Sequence, residues 1–171
     1  MKEVHVTVDS YKFLPPKLAE VFAEWPLAEP APPPWTPVKR PLSQLKLGFV
    51  TTAGIYDSRV DIPFDVLGEL ENPFWGDPSY RAIPRDIPRT GIGTSHLHIN
   101  NDPLREDLNI AVPLDAAEQA IAEGAIADVA DQNYSVMGYQ PDTSEWRRRS
   151  VPLMAGEFRS RAVDILVLTP V

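Results

Sequence analysis

Two of the chain's three histidines, His96 and His98, stand at i and i+2 in a stretch crowded with carboxylates, amides and hydroxyls. It reads Thr94-Ser-His-Leu-His-Ile-Asn-Asn-Asp102, continues through Arg105-Glu-Asp-Leu-Asn109 and enters Pro113-Leu-Asp115. On a strand those two histidines share a face. An imidazole titrates near neutrality, so His96 suits a general acid or base. It equally suits a structural histidine fixed by Asp102 or Asp107. The same side chains suit a metal centre, since His96 and His98 with Asp102 or Asp107 form a donor set for zinc or iron. Asp107 and Asn109 can also simply close a turn ahead of a helix. A second cluster, Pro73-Phe-Trp-Gly-Asp77-Pro-Ser-Tyr-Arg81-Ala-Ile-Pro-Arg85, sets aromatics beside alternating arginines. Arg81 and Arg85 can clamp a carboxylate bidentately or pair with Asp77 and Asp86 at the surface.

The elements that position these groups are legible from pattern. Residues 45–54 form an apolar run ending in Thr51-Thr-Ala-Gly54, which predicts a strand buried on both faces, as in a parallel sheet covered by helices. Its Thr51-Thr52 end then lies at the carboxyl edge, where open α/β sheets bind ligands. Residues 55–89 hold five prolines and read as long functional loops. A second strand is expected over 94–100. Asp115 and Glu118 form a capping-box pattern for a helix over 116–123, which Gly124 stops. Residues 126–137 return irregularly to the sheet. A helix is expected over 151–160 with Leu153, Met154 and Phe158 facing the sheet, and a second buried parallel strand over 163–171. Ahead of all this, residues 1–44 read as an arm: an amphipathic helix over 17–25, then an extended proline-rich run over 29–37. That run reads as a strap anchored by Trp25 and Trp35 in preference to a polyproline ligand. The fold class is α/β, a three-layer sandwich with a mostly parallel, Rossmann- or flavodoxin-like sheet over 45–171.

Composition narrows the function. With 24 acidic against 16 basic side chains and a net charge of −8, the chain lacks the basic surface that phosphate backbones need, so nucleic acid is not an expected partner. No apolar run approaches the ~20 residues of a membrane helix, and residues 1–5 lack the apolar core of a signal peptide. A cytoplasmic protein is expected. Cysteine is absent, which removes disulfides, thiolate ligands and thiol nucleophiles.

Several motifs recur together in order: Val50-Thr-Thr-Ala-Gly54, Gly76-Asp-Pro-Ser-Tyr-Arg-Ala-Ile-Pro84, Ser95-His96, Asp107-Leu-Asn109, Pro113-Leu-Asp115, Glu123-Gly-Ala-Ile126, Ser135-Val-Met-Gly138 and Val163-Asp-Ile-Leu-Val-Leu-Thr-Pro-Val171. This set resembles the glycine/sarcosine/betaine/D-proline reductase family, selenoprotein B type, from about Trp35 onward. The resemblance implies an α/β protein that reductively cleaves the C–N bond of an amino acid or an N-methylated glycine, with selenocysteine or cysteine as nucleophile. It implies a pocket lined by Thr51, Thr52, Ser95, His96, Asp107 and Asn109, with His96, Asp107 and Ser95 catalytic and Arg81 anchoring a carboxylate. Many similar proteins continue past the Leu-Thr-Pro-Val strand into a cysteine-bearing turn, whereas this sequence stops at Val171 and has no cysteine.

A chain without a thiolate or selenolate cannot perform that attack alone. Resemblance and composition together imply a short form that supplies the pocket for a small amino-acid-like substrate. A partner chain then completes the sheet and brings the redox thiol or selenol. Two further readings are a metal-dependent enzyme built on His96 and His98, and a non-catalytic binding or assembly protein of the same fold.

Overall fold

A computed structural model describes residues 11–24, 32, 36–72, 74–88 and 90–171. The chain divides into two compact units, Met1–Pro37 and Val38–Val171. In the first, α1 (Pro16–Glu24) forms where the amphipathic pattern predicts it, and Leu18, Val21 and Phe22 stay exposed. Trp25, Trp35 and most of the proline run lie outside the described residues.

The second unit carries β1 (Lys46–Thr51), β2 (Ile55–Asp57), α2 (Val66–Glu71), β3 (Tyr80–Pro84), β4 (Ile92–Thr94), α3 (Asp102–Glu106), α4 (Leu114–Ala122), β5 (Asp128–Val129), β6 (Gln132–Val136), α5 (Val151–Ser160) and β7 (Ile165–Thr169). β1 is the central strand. Along one side it pairs in parallel with β7; along the other it pairs in parallel first with β5 and then with β6. β3 closes the far edge antiparallel to β6, and β2 and β4 form a separate antiparallel ribbon. This is an α/β sandwich with a mostly parallel sheet.

Strand alternation builds the two layers. Leu47 and Phe49 of β1 pack with Ile83, Val129 and, from α4, Leu114 and Ala117. Val50 faces the other way, into Tyr134, Val136 and, from α5, Met154 and Phe158. Gly48 is needed on that second face, since a Cβ there would lie 2.6 Å from Phe158 Cε1. Each fully buried side chain of this size stabilises the fold by roughly 1.5–3 kcal/mol.

The return strand is broken, and the break is compensated. Lys46 is opposite Asp128 and Leu47 opposite Val129, an offset of 82 residues, whereas Val50 is opposite Tyr134 and Thr51 opposite Ser135, an offset of 84. Two extra residues therefore sit between β5 and β6, and the N–H of Phe49 has no ladder partner there. It donates instead to Asn133 Oδ1 at 2.9 Å, while Asn133 Nδ2 donates to Ala130 O at 3.3 Å. Asn133 is wholly buried and acts as a substitute backbone.

Several expectations are corrected. The strand expected over 94–100 stops at Thr94, because Ile92–Thr94 pairs with β2 and the chain then leaves the ribbon. α4 begins two residues early, at Leu114, with Pro113 before it and no side-chain cap on that residue. Asp115 is not the cap: its own N–H donates to Asn109 Oδ1 at 2.9 Å, and Glu118 turns away to Arg85. Gly124, at φ +72°, does end the helix in the left-handed region glycine favours. On α5, Met154 and Phe158 are buried as expected, but Leu153 is exposed. β7 is parallel but it is an edge strand: Leu166 and Leu168 are exposed rather than buried.

Candidate functional site

The carboxyl ends of β1, β6 and β7 meet, and a glycine draws the histidine loop onto them. Gly54, at φ +60°, donates its N–H to Val136 O at 3.0 Å, and its O accepts the Ser95 N–H at 3.0 Å. A Cβ on Gly54 would stand 2.6 Å from Met137 Sδ, and the left-handed φ strains any other residue there, so this turn calls for glycine. Thr51 and Thr52, expected to face a ligand, instead lace the strand ends together. Thr51 Oγ1 accepts from Ala53 N–H at 3.2 Å and donates to Thr169 O at 3.3 Å; Thr52 Oγ1 accepts the Val171 N–H at 2.9 Å.

His96 is buried in this junction. Its Nδ1 accepts the His98 N–H at 3.1 Å, which leaves the proton of the neutral ring on Nε2. Nε2 lies against Gly138, where a Cβ would come within 3.1 Å of Nε2, Thr52 Cβ and Thr52 O. Burial, and then the neighbouring His98, push the His96 pKa below the ordinary histidine value. Asn101 fixes the loop, donating from Nδ2 to His96 O at 2.7 Å and accepting from Thr94 Oγ1 at 2.7 Å. The sequence contained Asn101 without a signal for that role, because its partners are a backbone carbonyl and a hydroxyl five and seven residues back.

His98 has a different environment, since residues 95–100 are loop and the shared-face argument does not apply. Half exposed, it reaches α2, where its Nε2 lies 2.7 Å from Oε1 of the buried Glu69. Its ring is 4.7 Å from that of Tyr139 and 5.9 Å, nearly perpendicular, from that of His96. Glu69, Leu70, Leu97, His98 and Tyr139 line a pocket of about 380 Å³. Nothing in the sequence singled out Glu69, since it is the only buried residue of a helix whose leucines point outward.

The remaining expected residues do not converge on one cavity. Ser95 lines a separate pocket of about 550 Å³ with Tyr56, Phe64, Leu67 and Thr94. Arg81 spends four of its five N–H groups on Ile62 O, Ser79 Oγ, Tyr80 O and Pro63 O, and its guanidinium lies 4.2 Å over the Phe64 ring. It pins the 62–64 loop and is not free to clamp a carboxylate. Arg85 pairs with Glu118 at 2.5 Å and Asp128 at 2.7 Å, not with Asp77 or Asp86. Asp107 Oδ1 accepts the backbone and side-chain N–H groups of Asn109, whose Nδ2 also donates to Asp115 Oδ2 at 2.7 Å. Asp107 and Asn109 therefore organise the start of α4, the turn-closing alternative. Asp102 pairs with Arg105 at 2.9 Å. Among the described residues no group of three or more histidines and carboxylates is placed to hold a metal ion, so His96, His98 and Asp102 are not brought together as a zinc or iron set.

The chain is 29% identical over 138 residues to D-proline reductase subunit gamma of Acetoanaerobium sticklandii, an alignment covering 81% of this chain and 53% of that protein. The chain thus spans about half the length of the curated relative it matches. No family model and no solved structure matches it. Among the described residues no helix is long and apolar enough to cross a membrane.

Proposed function

We propose that the chain is a cytoplasmic, selenoprotein B type subunit of an amino-acid reductase assembly, holding a small amino-acid-like ligand beside the histidine loop while a partner chain supplies the thiol or selenol. The observation that carries this reading is the 29% identity to a D-proline reductase subunit across 138 residues. Two features support it. The carboxyl ends of the strands bring residues 51–54, 95–96, 135–138 and 169–171 together, and the pocket beside them falls within the size range of small-ligand sites. β7 leaves Leu166 and Leu168 exposed at a sheet edge, the kind of surface that proteins cover with another chain.

Ligand-detected NMR on the purified chain tests the binding half of the proposal, with D-proline, glycine, sarcosine and betaine as probes and L-proline as the control. Saturable binding of one of the four, stronger than that of L-proline, is expected. Equal, non-saturable signals from all five would overturn it.

A further inference from the structure

Helix α2 is built inside out. Its Leu67 and Leu70 are 71% and 66% exposed, whereas Glu69 is 4% exposed. Burying a carboxylate in place of a neighbouring leucine violates the ordinary pattern of a surface helix, and such violations concentrate at functional sites. The buried carboxylate is also incompletely satisfied: Oε1 meets His98 Nε2 at 2.7 Å, and Oε2 has no hydrogen-bond partner among the described residues. With Nε2 held by Glu69, the remaining nitrogen of the half-exposed His98 ring, Nδ1, is the one a ligand can meet. Leu70 and Leu97 offer apolar walls to a carbon skeleton, and the Tyr139 ring offers a π-face to a cation.

We propose that Glu69, His98 and Tyr139 form a proton-transfer site for the nitrogen of a small amine ligand, with His98 giving and taking the proton. Glu69 orients the ring through its 2.7 Å contact with Nε2, as a buried carboxylate does for a catalytic histidine. His96 is the positioning residue: its Nδ1 holds the His98 N–H and so sets where the His98 ring begins. Among the described residues, the charged and titratable groups facing His98 are Glu69 on α2, His96 on its own loop and Tyr139 after β6.

This inference deepens the proposed reductase reading and rests on it for the reaction step. A dithiol of the partner supplies two electrons and two protons. The C–N bond breaks with its electron pair left on nitrogen, and the His98 imidazolium gives its Nδ1 proton to that nitrogen. The carbon, left short of an electron pair, takes the dithiol's two electrons with one of its protons, in net terms a hydride, to form C–H, while the two sulfurs join as a disulfide and the other proton passes to solvent. His98 is reprotonated through solvent from the proton the dithiol released.

Two experiments separate the inference from the reading beneath it. In the first, the full chain is titrated with pyrrolidine while histidine and methyl NMR signals are followed. The His98 Cε1–H and the Leu70 and Leu97 methyls are expected to shift together, and Glu69→Gln, which keeps an acceptor but loses the charge, to weaken binding at least tenfold. Pyrrolidine leaving His98 unmoved would overturn the site whatever the reaction is. In the second, the assembly carrying His98→Gln is expected to reduce D-proline with kcat down about 100-fold or more. His98→Ala should regain rate with added imidazole, which a purely structural role would not produce. Unchanged kcat in His98→Gln, with the wild-type assembly active, would refute the proton-transfer role alone. A wild-type assembly that neither binds nor reduces any of the four amino acids, with the pyrrolidine response intact, would refute the reductase reading and leave the amine site standing.

Discussion

Replacing Asn133 by alanine should be among the most damaging single changes in the sheet, although Asn133 touches no ligand. The substitution removes the acceptor for the Phe49 N–H at a position with no exposure to water and a broken ladder. An orphaned buried donor costs about 1–3 kcal/mol, and loss of the longer bond to Ala130 O adds roughly 0.5–1 kcal/mol. The total of about 1.5–4 kcal/mol should lower Tm by roughly 4–15 °C in a chain of this size. Urea unfolding followed by circular dichroism reads it directly. Asn133→Asp is the informative companion, because it keeps an oxygen for Phe49 N–H but buries an ionisable group whose folded pKa must rise. Its stability should approach wild type below the unfolded aspartate pKa of about 3.9 and fall as pH rises through the folded value. Wild-type stability in Asn133→Ala, or an Asn133→Asp variant as stable at pH 8 as at pH 4, would refute the substitute-backbone role.

Other substitutions probe the junction and the edge. Gly54→Ala combines a left-handed φ with a Cβ 2.6 Å from Met137 Sδ, so a loss of about 2–4 kcal/mol in urea unfolding is expected. His96 is held neutral by burial, with its folded pKa below the unfolded value of 6.5. Protons therefore bind the unfolded chain more readily, and wild-type stability should decline as pH falls from about 6.5 toward the folded pKa, with His96→Gln flattening that stretch of the profile. Glutamates at Leu166 and Leu168 together should change chain stability by no more than about 1 kcal/mol, yet abolish co-purification of a partner chain. Arg81→Lys should loosen the 62–64 loop, seen as faster amide exchange there, without a change in affinity for the amino-acid ligand.

How much was legible follows from the range of each signal. The strands over 45–54 and 163–171 and the helices over 116–123 and 151–160 are marked by local apolar pattern, and the structure has an element at each, with the two strands paired in parallel. The strand expected over 94–100 ends at Thr94 because the chain leaves the ribbon through a long-range bond, Ser95 N–H to Gly54 O, that no local pattern records. Burial of the final strand was overestimated for a related reason: apolar composition records what a strand can bury, not whether a neighbour is there to cover Leu166 and Leu168.

At the site, residue types gave the loop and not the roles. Thr51, Thr52, Asp107 and Asn109 look like ligand-binding groups in sequence, yet each is spent on backbone or cap bonds that only the folded chain creates. Arg81 likewise has its partners 18 and 19 residues upstream. The pair that stands closest to active-site chemistry, Glu69 and His98, is 29 residues apart, and no local pattern links the two. The inverted polarity of α2, with Glu69 buried and Leu67 and Leu70 exposed, is visible only in the folded chain, because leucines at i and i+3 read as the buried face of a helix.

The central claim is that this chain holds the ligand while another chain brings the redox thiol, and a native mass spectrum of the protein isolated from its own cells tests it most directly. The account expects a stoichiometric complex with a second chain bearing cysteine or selenocysteine, and reduction of D-proline, glycine, sarcosine or betaine by that same complex. A homo-oligomer or monomer with no thiol-bearing partner, inactive toward all four, would contradict it.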